Sequence, residues 1–298
     1  MRPVRSLLFV PGHKRDWILK ALASEADGII IDLEDSVPEQ DKESARSIAR
    51  EVLAGPLEPG TSVLVRPNAL DTVHFGRDVA AVVQSGLTGL LLPKLFGRDD
   101  VVRFDALVSA AELANGLEQR SVELIPSLET AASINRVDEI LAGPRVGGVM
   151  AAAAKDADVS REVGFTWTPE GLETLHLRSK VVLAARSAGI RCIVLGLWQE
   201  VRNLEGLRGF ARGNHGLGYT GQVIIHPTHA PVVNEEYGLS EQQIAYYRGL
   251  IRAFDEGVRQ GSGAVSYQGD HVDLAHAHHA REALRIAGHS TDDDAQEA

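Results

Sequence analysis

The feature that most narrows the fold is an alternation of short runs rich in apolar and β-branched residues with stretches of helical spacing. The runs cover 6–10, 28–33, 62–66, 89–93, 122–126, 147–150, 191–195 and 222–226. Most are apolar at consecutive positions, as for strands covered on both faces of a parallel sheet. Helical periodicity marks 16–26, 41–53, 73–85, 99–117, 131–142, 168–188 and 204–214. Glycine closes several of these just before the next strand, as at Gly86, Gly116 and Gly189, where a left-handed C-cap costs least. Eight such units predict an α/β fold, a closed (β/α)8 TIM barrel rather than an open doubly wound sheet. No G-x-G-x-x-G follows the first run, which counts against a dinucleotide-binding sheet.

After the eighth run, Ser240 opens a helix over 240–261, a Gly/Ser break follows, and a short extended piece leads into a further helix. The expected organisation is a barrel over 1–238, a C-terminal helical lid over 239–288 and a disordered acidic tail over 289–298. A net charge of −11 opposes general nucleic-acid binding, although a few basic side chains can still dominate one cleft. The lone Cys192 excludes an internal disulfide and a cysteine zinc site, and it reads as inert core. The N-terminal "MRPVRSLLFVPGHKR" has an apolar core too brief for a signal peptide or a membrane span, so a cytoplasmic protein with no membrane association is expected.

Residues 28–36, "GIIIDLEDS", run from isoleucines straight into carboxylates. In a barrel the C-terminal strand ends carry the active site. Those ends bear Asp32 and Glu34, Arg66 and Asn68, Lys94, Glu129, Asp156 and Asp158, and His226. Acids and bases from at least six strands would thus meet at one mouth. Two carboxylates from adjacent strands near Arg66 suggest a hard-cation site in which water or substrate fills the remaining positions. Arg66 either forks a carboxylate or phosphate or pairs with Glu34 structurally. Lys94 is equally suited to pairing with Asp32 or Glu34, and Glu129 and the loop aspartates to being solvated rim acids. His226 reads as a hydrogen-bonded strand-end histidine. His271, His276, His278 and His279 do not place three imidazoles on one helical face beside an acid, and read as a surface His-rich helix.

At these residues the chain resembles the citrate lyase β-subunit-like family of CoA-ester lyases, which includes malyl-CoA lyases and lies within the HpcH/HpaI aldolase superfamily. The resemblance rests on "RSLLFVPG", "DGIIIDLEDSV…DKESAR", "VRPN", "LLPK", "IPSLET", "LRSKVVLAARSAGI", "GYTGQVIIHPTH" and a late "HVD", in that order across nearly the whole chain. It implies a barrel with a lid, assembled as a homotrimer or homohexamer in which the lid serves a neighbouring site. It implies Mg2+ held by Glu129 and by Asp158, with Asp156 as the alternative ligand. Arg66 would grip the substrate and act in catalysis, Glu129 would also meet the substrate, and Asp273 would be the lid acid/base. Arg5 and Lys14 would meet CoA phosphates, and Asp32, Glu34 and Lys94 would orient Arg66 and metal-bound water.

The implied reaction is Mg2+-dependent cleavage or formation of a 3-hydroxyacyl-CoA from an acyl-CoA and a 2-oxo acid, with thioester hydrolysis as a possible following step. Two alternatives remain: a class II aldolase acting without CoA, and a non-catalytic barrel that binds a CoA ester as a regulator. The chain departs from the family pattern at Gly221–Gln222, where a G-K pair is usual, at "QGDHVD" in place of D-G-K-M-V-D, and in the loop "MAAAAKDADVSREVG".

Overall fold

The computed structural model describes residues 1–289; the expected acidic tail lies, but for its first residue, outside them. Eight parallel strands close into a barrel in chain order: β1 (Ser6–Pro11), β2 (Gly28–Asp32), β3 (Ser62–Arg66), β4 (Gly89–Leu92), β5 (Glu123–Leu128), β6 (Gly148–Ala151), β7 (Cys192–Leu195) and β8 (Gly221–Ile224). β8 pairs with β1 through Ser6 and Gln222 to complete the circuit. Around them run α1 (Arg15–Leu22), α2 (Lys42–Ala54), α3 (Phe75–Val82), α4 (Arg98–Ala114), α5 (Ala131–Asn135), α6 (Val137–Leu141), α7 (Asp158–Val163), α8 (Leu175–Ser187), α9 (Leu204–Leu217) and α10 (His229–Tyr237).

Strand alternation sorts the side chains into two layers. Leu7, Ile30, Leu64, Leu91, Ile125, Met150, Cys192, Val194 and Val223 fill the barrel interior. Their neighbours, among them Leu8, Ile29, Ile31, Val63 and Val65, join the larger layer between strands and helices. Cys192 is buried in the interior, and burial pushes its thiol up to about 12, so it stays an unreactive apolar filler.

Several helix boundaries differ from the periodicity, each for a local reason. The 131–142 segment divides at Arg136, whose backbone leaves helical geometry (φ −103°). The 168–188 segment becomes helical only at Leu175, because Pro169 and the left-handed Gly171 (φ +66°) hold the preceding residues in a loop and a single 3-10 turn. α10 was hidden by its prolines, yet Pro231 sits in its first turn, where the missing N–H is of no consequence. Gly116 and Gly189 adopt the expected positive φ; Gly86 does not, and is needed because a Cβ there would lie 2.2 Å from the Leu53 carbonyl oxygen.

The chain divides after Tyr237 into two compact units. The second contains α11 (Glu241–Arg259), the antiparallel pair β9 (Ala264–Tyr267) and β10 (Asp270–Asp273), and α12 (Leu274–Ile286). Ser240 caps α11 by accepting the Gln243 N–H, and Gln243 returns to the Ser240 N–H. The extended piece expected here is a hairpin, turned by Gln268 and Gly269, both at positive φ as a type I′ turn requires. Leu250, Ile251, Phe254, Val272, Ala277, Ala280 and Leu284 form its own core. Among the described residues, no helix is long and apolar enough to cross a membrane.

Candidate functional site

Two residues beyond an inward-facing core residue, a strand again faces inward, now at its C-terminal end. Ile30 leads to Asp32, Leu64 to Arg66, and Ile125 through Ser127 to Glu129. Asp32 and Arg66 are register partners on adjacent strands. The Arg66 Nε and Nη2 donate to the two Asp32 oxygens at 2.7 and 2.8 Å, a planar two-point fork. Backbone N–H groups of Glu34 and Ser36 donate to the same carboxylate at 3.0 Å each. Burial works against the Asp32 charge, but Arg66 and these donors hold its pKa below the usual range. Arg66 rests over the Phe9 ring at 4.9 Å, so its guanidinium is fixed from beneath as well as from the side.

Glu34 follows at 4 % exposure, with Arg66 Nη1 at 3.3 Å and Lys94 Nζ at 3.0 Å. Neither contact has hydrogen-bond geometry at the carboxylate. Burial dominates, and with Asp35 nearby it pushes Glu34 up to about 7 against the pull of both cations. Lys94 also reaches Asp35 at 3.2 Å, and its own pKa is raised by these acids despite partial burial. Its backbone is left-handed (φ +51°), a conformation disfavoured for a side chain, and it aims the Lys94 N–H at Glu129 Oε1, 3.0 Å away.

Glu129 is buried, and among the described residues that N–H is the one hydrogen bond to its carboxylate. Burial raises its pKa; Arg66 and the Lys94 N–H oppose this, and the charges of Asp158 and Asp35 reinforce it. Asp158 begins α7 and faces the same cleft, about 680 Å3 in volume, lined also by Asp35, Lys94, Phe96 and Arg161. Arg161, one turn along α7, pairs with Asp158. Asp156 instead is exposed, sits at φ +53° and does not line the cleft.

Charge makes this a credible cation site. Asp32, Glu34, Asp35, Glu129 and Asp158 gather against Arg66 and Lys94, with Arg161 at the rim. Burial, reinforced by the neighbouring acids, raises the proton affinity of Glu34 and Glu129, and a divalent ion would oppose that shift. Glu129 and Asp158 both line the cleft, and no group of three metal-binding side chains is found among the described residues. That suits Mg2+, which keeps several waters and takes further oxygens from substrate.

Other expected residues lie elsewhere. Arg5 precedes β1 at the opposite end of the barrel, where it forks Asp27 at 2.7 and 2.9 Å; it does not join the mouth. Lys14 follows β1 on the mouth side and is exposed. His226 is exposed and bonds to Thr228. Gln222 is fully buried and its side-chain amide has no partner among the described residues. Since Val223 faces inward, Gln222 faces the helical layer, so this departure from the family pattern does not alter the mouth. Asp273 belongs to the second unit and caps α12.

Spacing missed the support behind the site. Lys42, at 8 % exposure, donates to the carbonyl oxygens of Leu33 and Glu34 and to Asn68 Oδ1, each at 2.7 Å. Arg46 bonds Asp78, whose other oxygen accepts from the Asn68 backbone and side chain. The "DKESAR" and "VRPN" motifs therefore clamp the loops after β2 and β3 together. The signal was available in two basic residues four apart on an otherwise amphipathic helix.

The HpcH/HpaI aldolase/citrate lyase family model matches residues 5–227. A citrate lyase subunit beta-like protein from Deinococcus radiodurans is 34% identical over 278 residues, covering 91% of this chain and 92% of that one. An L-malyl-CoA/beta-methylmalyl-CoA lyase from Cereibacter sphaeroides is 35% identical, covering 96% of this chain and 95% of its own. The CitE protein of Mycobacterium tuberculosis, solved with magnesium, acetoacetate and coenzyme A, superposes with a TM-score of 0.74 at 29% identity, covering 96% of this chain and 98% of that one.

Proposed function

The chain belongs to the HpcH/HpaI aldolase/citrate lyase family, and from that membership and the mouth geometry we infer a Mg2+-dependent carbon–carbon lyase. Its substrates are an acyl-CoA and a 2-oxo acid, joined as or released from a 3-hydroxyacyl-CoA thioester. The observation that carries the reading is the buried Glu129, with one oxygen held by the Lys94 N–H, facing a cleft that it shares with Asp158.

Cleavage breaks the bond between C2 and C3: the hydroxyl proton leaves, a carbonyl forms at C3, and the electron pair moves onto the thioester as an enolate. Glu129 and Asp158 would hold Mg2+, which when bound supplies Lewis acidity and a template for substrate oxygens. Arg66 is pre-aimed by Asp32 and Phe9; its remaining N–H groups stabilise negative oxygen on the enolate or the 2-oxo acid at no reorganisation cost. Glu34, Asp32 and Lys94 keep Arg66 and Glu129 in place. Asp273 moves the proton on or off the acyl carbon. Lys14, on the mouth side, is suited to a CoA phosphate. We further propose a homotrimer or homohexamer in which Asp273 serves a neighbouring subunit's site, in the cytoplasm.

The test is a screen of acyl-CoA and 2-oxo-acid pairs with Mg2+, read by mass spectrometry for condensed thioester. Product that forms with Mg2+ and disappears with EDTA supports the reading; a 2-oxo-acid aldol product formed equally well without CoA replaces it.

A further inference from the structure

The second unit contains a carboxylate–imidazole pair that spacing alone did not single out. Asp273 ends β10 and caps α12, and its Oδ1 accepts the backbone N–H of Ala275 at 3.0 Å and of His276 at 3.3 Å. The His276 Nδ1 lies 2.6 Å from the same oxygen and 3.3 Å from the Asp273 nitrogen. A capping box ordinarily places Glu or Gln at this third helical position to accept the Asp273 N–H; here an imidazole occupies it, and with its Nδ1 proton turned to Oδ1 at the shorter distance it acts as a donor to the carboxylate instead. The three contacts to the carboxylate all fall on Oδ1, and among the described residues none falls on Oδ2; Asp273 lines a recess together with His278.

We propose that His276 is a positioning residue that fixes the Asp273 carboxylate with Oδ2 presented for proton transfer. This rests on the assignment of Asp273 as the proton-moving group. A cap alone tethers one oxygen through two nearly parallel amides. The imidazole adds a donor from the side-chain direction, and so restricts rotation of the carboxylate. A proton taken from the acyl carbon then goes to Oδ2, leaves the enolate electron pair on the thioester, and returns by the same path on protonation. His276 and the first-turn amides also hold the Asp273 pKa below its ordinary value, which keeps the base ionised. Of the neighbouring charged and titratable groups, Asp270 and His271 lie on β10, Asp270 accepts from the Tyr246 hydroxyl of α11 at 3.3 Å, and His279 stacks edge-on with Tyr247.

The experiment follows deuterium exchange of the acetyl-CoA methyl group by the full-length protein with saturating Mg2+, for wild type, Asp273→Asn, His276→Ala and His276→Gln, with thermal unfolding measured in parallel. The expected result is loss of exchange in Asp273→Asn and an about 10- to 100-fold lower maximal rate in His276→Ala with KM for acetyl-CoA unchanged. His276→Gln, which restores both a box and a donor, recovers most of the rate. Wild-type exchange in His276→Ala, with Asp273→Asn inactive, overturns the role of His276 alone. Equal loss in both His276 variants reduces it to a fold requirement and overturns it too. Wild-type exchange in Asp273→Asn overturns the assignment of Asp273 itself.

Discussion

Lys42→Met removes an ammonium that holds three acceptors while keeping most of its apolar stem. A hydrogen bond from a charged donor contributes about 1.5–3 kcal/mol, but these three losses are unequal. The Leu33 oxygen still accepts from Asn68 Nδ2 at 2.9 Å, and the Glu34 oxygen from the Val37 N–H at 3.1 Å. Among the described residues, only Asn68 Oδ1 of these three acceptors is then left with no donor. One orphaned buried acceptor costs about 1–3 kcal/mol and the two weakened carbonyls about 1 kcal/mol each, less the relief of no longer burying a charge that burial already disfavours. The net expectation is about 3 kcal/mol. All three tryptophans, Trp17, Trp167 and Trp198, lie in the first unit, so urea unfolding followed by their fluorescence reports the barrel. The midpoint should fall by about 1 M with the slope unchanged. Turnover should fall as well, because the released carbonyls are those of the loop carrying Glu34. A destabilisation below about 1 kcal/mol would show that the clamp is not what holds this loop.

Glu34 carries a raised pKa, so the folded state binds its proton more tightly than the unfolded chain, and that contribution to stability is lost as pH rises from about 4.5 to about 7. Metal-free wild type should therefore lose on the order of 3 kcal/mol more than Glu34→Gln between pH 5 and 8; parallel unfolding curves for the two would contradict this. Arg66→Lys replaces a fork with a point charge and should lower kcat about 100-fold while leaving metal affinity intact; a change confined to KM would assign Arg66 to ground-state binding alone. Gly221→Ala puts a Cβ 2.0 Å from the Val4 carbonyl oxygen at the seam where β8 meets β1, and should destabilise the barrel by about 2 kcal/mol in the same urea assay; an unchanged midpoint would mean the seam yields freely.

The barrel was legible because buried parallel strands leave short, uninterrupted apolar runs, and all eight have their ends within two residues of the expected positions. The mouth acids were legible for a related reason. On a strand with period two, an inward residue such as Ile30 fixes the inward direction of Asp32, and Leu64 that of Arg66. What stayed hidden depends on contacts distant in sequence. Lys42 looks like a solvated helical lysine until the β2 and β3 loops fold over it. The place of Arg5 was legible too: it precedes a strand expected and found to begin at Ser6, which sets it at the end opposite the mouth despite the role the resemblance implied. The loop after β6 resisted reading because it lacks the usual motif, and the separation of Asp158 from Asp156 is decided by where α7 starts.

The account stands most directly on whether Glu129 and Asp158 share one divalent ion. Titration of the metal-free protein with Mn2+ as a spectroscopic surrogate, by electron paramagnetic resonance, counts the sites and competes them with Mg2+. One Mg2+-displaceable site, abolished in Glu129→Gln, strongly weakened in Asp158→Asn and retained in Asp156→Asn, is the expected result. A site that survives Glu129→Gln at full affinity would contradict it.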